Sequence, residues 1–379
     1  MRFSLLCLMC GVMLSWGMPA FAQANDTVQT SDRVRVAFIN PGYGDRGFWK
    51  DVRDTMQVAA DQFGFDLFVF DSNRDQKKMI DSAQSAFDMN PPADYIIAVN
   101  EHQQGSRIVL EAEKRSIPVI MLLNGLTKQQ KENIAQVTGD MSGLIFTLTP
   151  DNERAGFEIA QSLIDGVRLS HTGGLPRTIC LLSIAGDRHT PASLQRLEGL
   201  DLALKQFPVL NEKRRLVANW SFDEAYRQTA AWIAGGQCLD AVWAANDDIA
   251  LGAIAAIEKA GMTAGKDVFV GGLNWSEKGM KNVANGKMTM THGGHFLAGA
   301  WVMVLLNDYI AGVEVLHDHP EISFRMEAIN QGNLAHFERI FGTRDWKNID
   351  FSQFSLEHQT SGRDYYFGVE GLAHALSKD

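Results

Sequence analysis

What most limits the fold of this chain is a steady alternation that starts at residue 34 and later starts again. Short apolar runs at 34–39, 65–70, 95–99, 119–123 and 134–137 each end in a polar turn. Amphipathic stretches lie between them. Over 48–63, Trp49, Val52, Met56, Ala59 and Phe63 recur at helical spacing on one face, and 75–89 and 105–115 repeat the theme. Strands separated by helices of this length predict a parallel sheet covered on both faces. The pattern then restarts. Runs at 178–184, 215–220, 241–245, 268–273 and 287–291 read as five more strands, with helices near 191–206, 223–234, 248–260 and 276–284. A helix over 152–164 joins the halves. The expected fold class is therefore α/β, with two similar Rossmann-like lobes built on parallel sheets. The remainder, 331–379, carries Phe337, Phe341, Trp346, Phe351, Phe354, Tyr365, Tyr366 and Phe367. A disordered segment is poorer in aromatics, so this extension is expected to pack on a lobe.

The N-terminus bears on location. Arg2 is the only charged residue among the first 22, residues 3–16 are mostly apolar, and Ala20-Phe21-Ala22 supplies a small-residue cleavage site before Gln23. This reads as a secretory signal peptide over 1–22 and places the mature chain in the periplasm of a Gram-negative cell. The apolar run is too short for a spanning helix. The formal net charge of −10, without a basic cluster, argues against nucleic acid or an anionic membrane as partner. Cys180 and Cys238 remain once the first segment is removed, and an oxidising compartment permits their pairing without requiring it.

One motif points elsewhere. Gly42, Gly44 and Gly47 spell G-x-G-x-x-G after an apolar run and before a helix, and Asp71 follows the next run. That is the dinucleotide fingerprint. Two observations oppose it. An exported protein meets little nicotinamide cofactor, and Asp45 sets a negative charge where a pyrophosphate would sit at the helix N-terminus. No cofactor is expected. The chain also has no G-x-S-x-G, no H-E-x-x-H and no Ser/Lys nucleophile motif, so it is not read as an enzyme.

Four stretches carry a resemblance: TPDNERAGFEIAQSL (149–163), QRLEGLDLAL (195–204), WAANDDIALGAIAAIEKAG (243–261) and VFVGGLNWSEKGMKNVANGKMTMT (268–291). They resemble the type I periplasmic sugar-binding proteins, the ribose- and galactose-binding group, over roughly residues 33–330. The resemblance implies two lobes joined by three hinge strands and closing over one small ligand. It implies lobes of 32–145 plus about 293–318 and of 146–292 plus about 319–330. It further implies a monomer of the exported kind, since a signal-like segment stands where the repressor relatives carry a DNA-binding helix pair.

A sugar's hydroxyls want planar polar partners and its C–H faces want flat aromatic surface. In the resemblance the first loop offers Asp45, Phe48 and Trp49. Phe48 is the preferred stacking residue, while the core claims Trp49 equally and Asp45 can equally cap its helix. Glu101 matches a ligand carboxylate and Asn124 can add an amide. Arg196, followed by Gly199, matches the R-x-x-G arginine that forks onto hydroxyls. Trp220 matches a stacking tryptophan, with burial in the core as its competing role. Asn246 matches a ligand asparagine, with Asp247 and Asp248 read as caps of the next helix. Asn152 and Asp140 read as cap and hinge residues. Two departures stand out. Asn274 occupies the place of the family's aspartate, with Trp275 as a second aromatic wall, and the last polar ligand falls within His292-Gly-Gly-His295, with His292 taken as the contact. No metal site is expected from that histidine pair, because no third ligand is evident. The implied function is capture of a small polar, sugar-like ligand, handed to an inner-membrane ABC permease. The alternative is a receptor that reports occupancy to a membrane kinase, cyclase or chemoreceptor.

Overall fold

The computed structural model describes residues 33–139, 141–170, 178–316, 320–341, 344–357 and 364–376. The expected signal peptide and Asp140 lie outside the described residues. In the first half the chain runs β1 (Arg35–Asn40), α1 (Gly47–Phe63), β2 (Asp66–Asp71), α2 (Gln76–Phe87), β3 (Tyr95–Ala98), α3 (Gly105–Arg115), β4 (Val119–Leu122), α4 (Lys128–Thr138) and β5 (Leu144–Pro150). It continues through α5 (Asn152–Ser170), β6 (Ile179–Ala185), α6 (Pro191–Gln206), β7 (Leu210–Val217), α7 (Phe222–Ala234), β8 (Ala241–Ala244), α8 (Asp247–Lys259), β9 (Phe269–Leu273), α9 (Glu277–Ala284) and β10 (Met290–Gly293). Last come α10 (Ala298–Ile310), β11 (Glu321–Phe324), β12 (Glu327–Ile329), α11 (Leu334–Phe341) and α12 (Val369–Leu376).

These strands form two six-stranded sheets, ordered β11-β5-β4-β3-β1-β2 and β12-β10-β9-β8-β6-β7. Every named pairing is parallel except β10 with β12. Central strands covered by helices on both faces have no solvated side, and Val36, Ala37, Phe38 and Ile39 of β1 are accordingly all buried. The chain passes between the sheets three times: from β5 into α5, from β10 into α10, and from β11 into β12.

Two expectations are corrected. Residues 134–137 are the last turns of α4, not a strand. Thr127 and Gln130 form a capping box at its start and Gly139 ends it at φ 88°, so local capping outweighs a short apolar run. The fifth strand is β5 instead. The lobe boundaries move with it, since β5 keeps 144–150 in the first sheet and β11 places 321–324 there as well.

Cys180 on β6 and Cys238 just before β8 form a disulfide, with Cα atoms 5.9 Å apart. The C-terminal extension packs along α1 and α10. Trp301 of α10 meets Phe354 at 4.6 Å and Phe367 at 5.1 Å between ring centroids, and buried Asp308 accepts from Leu356 N and from the Tyr365 hydroxyl. On the other lobe Phe337 meets Trp275 at 4.9 Å. Among the described residues, no helix is long and apolar enough to cross a membrane.

Candidate functional site

In parallel sheets the carboxyl ends of the strands face the crevice where ligands bind. Here those ends, from both sheets, enclose about 450 Å³ of space free of atoms and partly open to solvent.

The loop after β1 explains its three glycines without a phosphate. A Cβ on Gly42 would lie 2.1 Å from the Trp49 ring, and one on Gly44 would lie 2.1 Å from the Asp71 carboxylate. Gly47 sits at φ 69°, a conformation glycine adopts freely. Asn40 ties the loop down, donating to Asp71 Oδ1 at 2.7 Å and accepting from Gly42 N at 3.1 Å. The result presents Phe48 and Trp49 to the cavity, with Phe48 stacked on His295 at 4.3 Å. Asp45 is not among the lining residues. Its side chain is 74% exposed and pairs with Arg46, and it does not cap α1.

Glu101 lines the cavity at the end of β3, buried and 3.5 Å from the Arg74 guanidinium. Burial pushes its carboxyl above the ordinary range against the pull of Arg74. Asn124, after β4, also lines the cavity, and its Oδ1 accepts from Ala192 N of the second lobe at 2.9 Å.

From the second lobe comes Arg196, only 4% exposed. Its Nε donates to Asn152 Oδ1 at 2.9 Å and its Nη1 to Ala245 O at 2.8 Å. Burial pushes its pKa down to about 9, while Asp247 pulls it up. Gly199 has a packing role: a Cβ there would lie 1.8 Å from Glu153 O, and one on Gly156 would lie 2.0 Å from Arg196 O. Those two glycines let α5 and α6 approach closely enough to set Arg196 in the cavity wall. Trp220, at φ 61°, lies against Gly186, and its Nε1 donates to Asp187 Oδ2 at 2.6 Å. Asp187 also accepts from His189 N, Thr190 N and Thr190 Oγ1. Burial would raise its carboxyl, but these bonds hold it below the ordinary range. Asn246 lines the cavity and caps α8, accepting from Ile249 N. Asn274 lines it too.

Trp275 and His292 do not line the cavity. Trp275 is at φ 52°, and its indole donates to Thr291 O and Glu327 O under the rings of the extension. His292 is buried against α5, with Nε2 2.8 Å from Glu158 Oε2. The histidine that lines the cavity is His295, which follows Gly294 at φ 92°. Burial, with Arg196 nearby, holds its pKa well below the ordinary value, so the ring is neutral. Sequence reasoning also missed Arg74, Leu123, Pro150, Thr190 and Ala192. Arg74 was findable, because it follows the carboxyl end of β2.

One group among the described residues brings metal-capable atoms together. Glu101, His102 and Asp187 offer ligand atoms within 4.8 Å of one another. Both Asp187 oxygens already accept from protein donors, and the Arg74 guanidinium pairs with Glu101.

Comparison with known proteins agrees with this architecture. The periplasmic binding protein domain matches residues 36–313. The xylitol-binding protein of Mycolicibacterium smegmatis is 26% identical over 264 residues, 69% of this chain and 68% of that one. The ribose import binding protein of Escherichia coli is 28% identical over 290 residues, 75% and 84% of the two chains. A periplasmic sugar-binding protein from Pseudomonas fluorescens superimposes with a TM-score of 0.79 at 26% identity, covering 90% of this chain and 99% of its own. With two parallel-sheet lobes meeting at one polar, aromatic cavity, this chain belongs to the periplasmic binding protein family and is a solute-binding protein, not an enzyme.

Proposed function

We propose that the chain is a monomeric periplasmic receptor that captures a sugar or sugar-like polyol between its lobes and delivers it to an ABC permease. The observation that carries this reading is the composition of the cavity. Glu101, Asn124, Arg196, Asn246 and Asn274 offer planar polar groups, and Phe48 and Trp220 add aromatic rings, with both lobes contributing. Hydroxyls take bidentate partners and sugar C–H faces take rings, so the set suits a neutral, hydroxyl-rich ligand. That related proteins are named for ribose, xylitol and galactofuranose supports the same class. The segment over 1–22 serves as the export signal, and a mature N-terminus at Gln23 is the expected result of sequencing the purified protein.

Mass spectrometry of the small molecule released from protein purified out of its own host identifies the ligand. A strain lacking the chain should then grow poorly on that compound as sole carbon source. Unimpaired growth would remove the transport role and favour signalling to a membrane kinase, cyclase or chemoreceptor. Release of no sugar or polyol would remove the ligand class.

A further inference from the structure

The turn between β9 and α9 holds two consecutive non-glycine residues in the left-handed half of backbone space, Asn274 at φ 144° and Trp275 at φ 52°. Such a conformation persists only where the surroundings fix it. Asn274 N donates to His292 O at 2.7 Å and Arg344 donates to Trp275 O, and beside these bonds stands a carboxylate that does not itself line the cavity. Asp247 is fully buried at the start of α8, and Asn246 rather than Asp247 supplies the cap of that helix. Its Oδ2 accepts from Ser276 N at 2.8 Å and Ser276 Oγ at 2.7 Å, immediately after the turn. Its Oδ1 accepts from Thr291 Oγ1 at 2.7 Å, and that hydroxyl oxygen in turn accepts from Trp275 N at 3.2 Å. Two glycines make room for the carboxylate. A Cβ on Gly279 would lie 2.2 Å from Oδ2, and one on Gly272 would lie 2.8 Å from Oδ1.

We propose that Asp247 is a positioning residue of the ligand site, gripping the Asn274–Trp275 turn from both sides so that Asn274 is held in the cavity wall. The role rests on reading the cavity as the ligand site, but the grip itself does not depend on any ligand. Asn274 stands one residue from the grip on Trp275 N and two from the grip on Ser276, so release of the turn moves the cavity wall directly.

Hydrogen exchange on the ligand-free protein tests the grip. In Asp247→Asn, the peptide spanning 272–279 should exchange roughly tenfold faster, as expected for loss of a charged hydrogen-bond acceptor. Thr291→Val, which cuts one side of the network while preserving shape, should accelerate the same peptide less. Binding is then read with the best of D-ribose, xylitol, D-allose and myo-inositol, chosen by the shift in melting temperature of the wild type. Asp247→Asn should weaken binding roughly tenfold. Added to Asn274→Ala, it should weaken binding far less than it does alone, because both act through the same side chain. Unchanged exchange at 272–279 in both variants would overturn the proposal, as would losses that multiply in the double variant. A panel that leaves the wild type unshifted would count against the sugar reading, and the exchange result would still decide the role of Asp247.

Discussion

Arg196 is a guanidinium held almost entirely out of water, and its direct partners are an amide oxygen and a carbonyl, not a carboxylate. A ligand hydroxyl that accepts from it gains a charged donor in a dry site. Arg196→Ala should therefore weaken binding by about 2–5 kcal/mol, measured by titration calorimetry. Trp220→Ala should cost about 1–3 kcal/mol of binding with a smaller loss of fold stability. Equal losses in both quantities would place that ring in the core. Asp247 sets a pH dependence of stability. Burial pushes its carboxyl up to about 6 against the bonds from Thr291 and Ser276. A folded pKa above the unfolded one means that the folded state binds the proton more tightly. Its contribution is thus full below the unfolded value and lost as pH rises through about 6. From about pH 7.5 down to about pH 5, the wild type should gain about 1 kcal/mol relative to Asp247→Asn in urea unfolding. At this scale the sequence was legible where a residue ends a strand. Phe48, Glu101, Asn124 and Asn246 all follow carboxyl ends, and topology puts those ends at the cleft. It was not legible at Trp275 and His295, where a left-handed residue at or just before the side chain sets its direction.

At the scale of elements, the glycine motif after β1 has a steric cause. Gly44→Ala should destabilise the fold by about 1–3 kcal/mol, since its Cβ meets the Asp71 carboxylate. Millimolar NAD should leave the wild-type melting temperature unchanged; a saturable shift abolished by Gly44→Val would restore the dinucleotide reading. The alternation of strand and helix was legible because each long helix carries its own apolar stripe, as α1 does with Trp49, Val52, Met56 and Ala59. Over 134–137 the same reading failed, because a four-residue run carries no period of its own and Thr127 and Gln130 had already started a helix. The extension is expected from its composition to pack on one lobe; its aromatics instead meet both, Phe337 at Trp275 and Phe354 and Phe367 at Trp301, while Tyr366 stays exposed. Phe337→Ala, beneath Trp275, should cost about 3–5 kcal/mol of stability in urea unfolding.

For the whole molecule, the lobes touch across the cavity. Asn124 Oδ1 accepts from Ala192 N, Gln103 Nε2 donates to His189 O at 3.4 Å, and the cavity wall is drawn from both sheets. Glu101 of one lobe and Arg196 and Asn246 of the other line the same cavity in this arrangement. On the proposed function, binding would select this closed arrangement, and the ligand's preference for it would set how far the population moves. On the same reading, the three crossings between sheets are the segments about which the lobes would part. Small-angle scattering with and without the sugar that best stabilises the protein measures this directly. Wild-type protein should become more compact on saturation, and Arg196→Ala at the same concentration should keep its ligand-free dimensions. A wild type that binds the sugar and keeps its ligand-free dimensions would contradict closure as the mechanism.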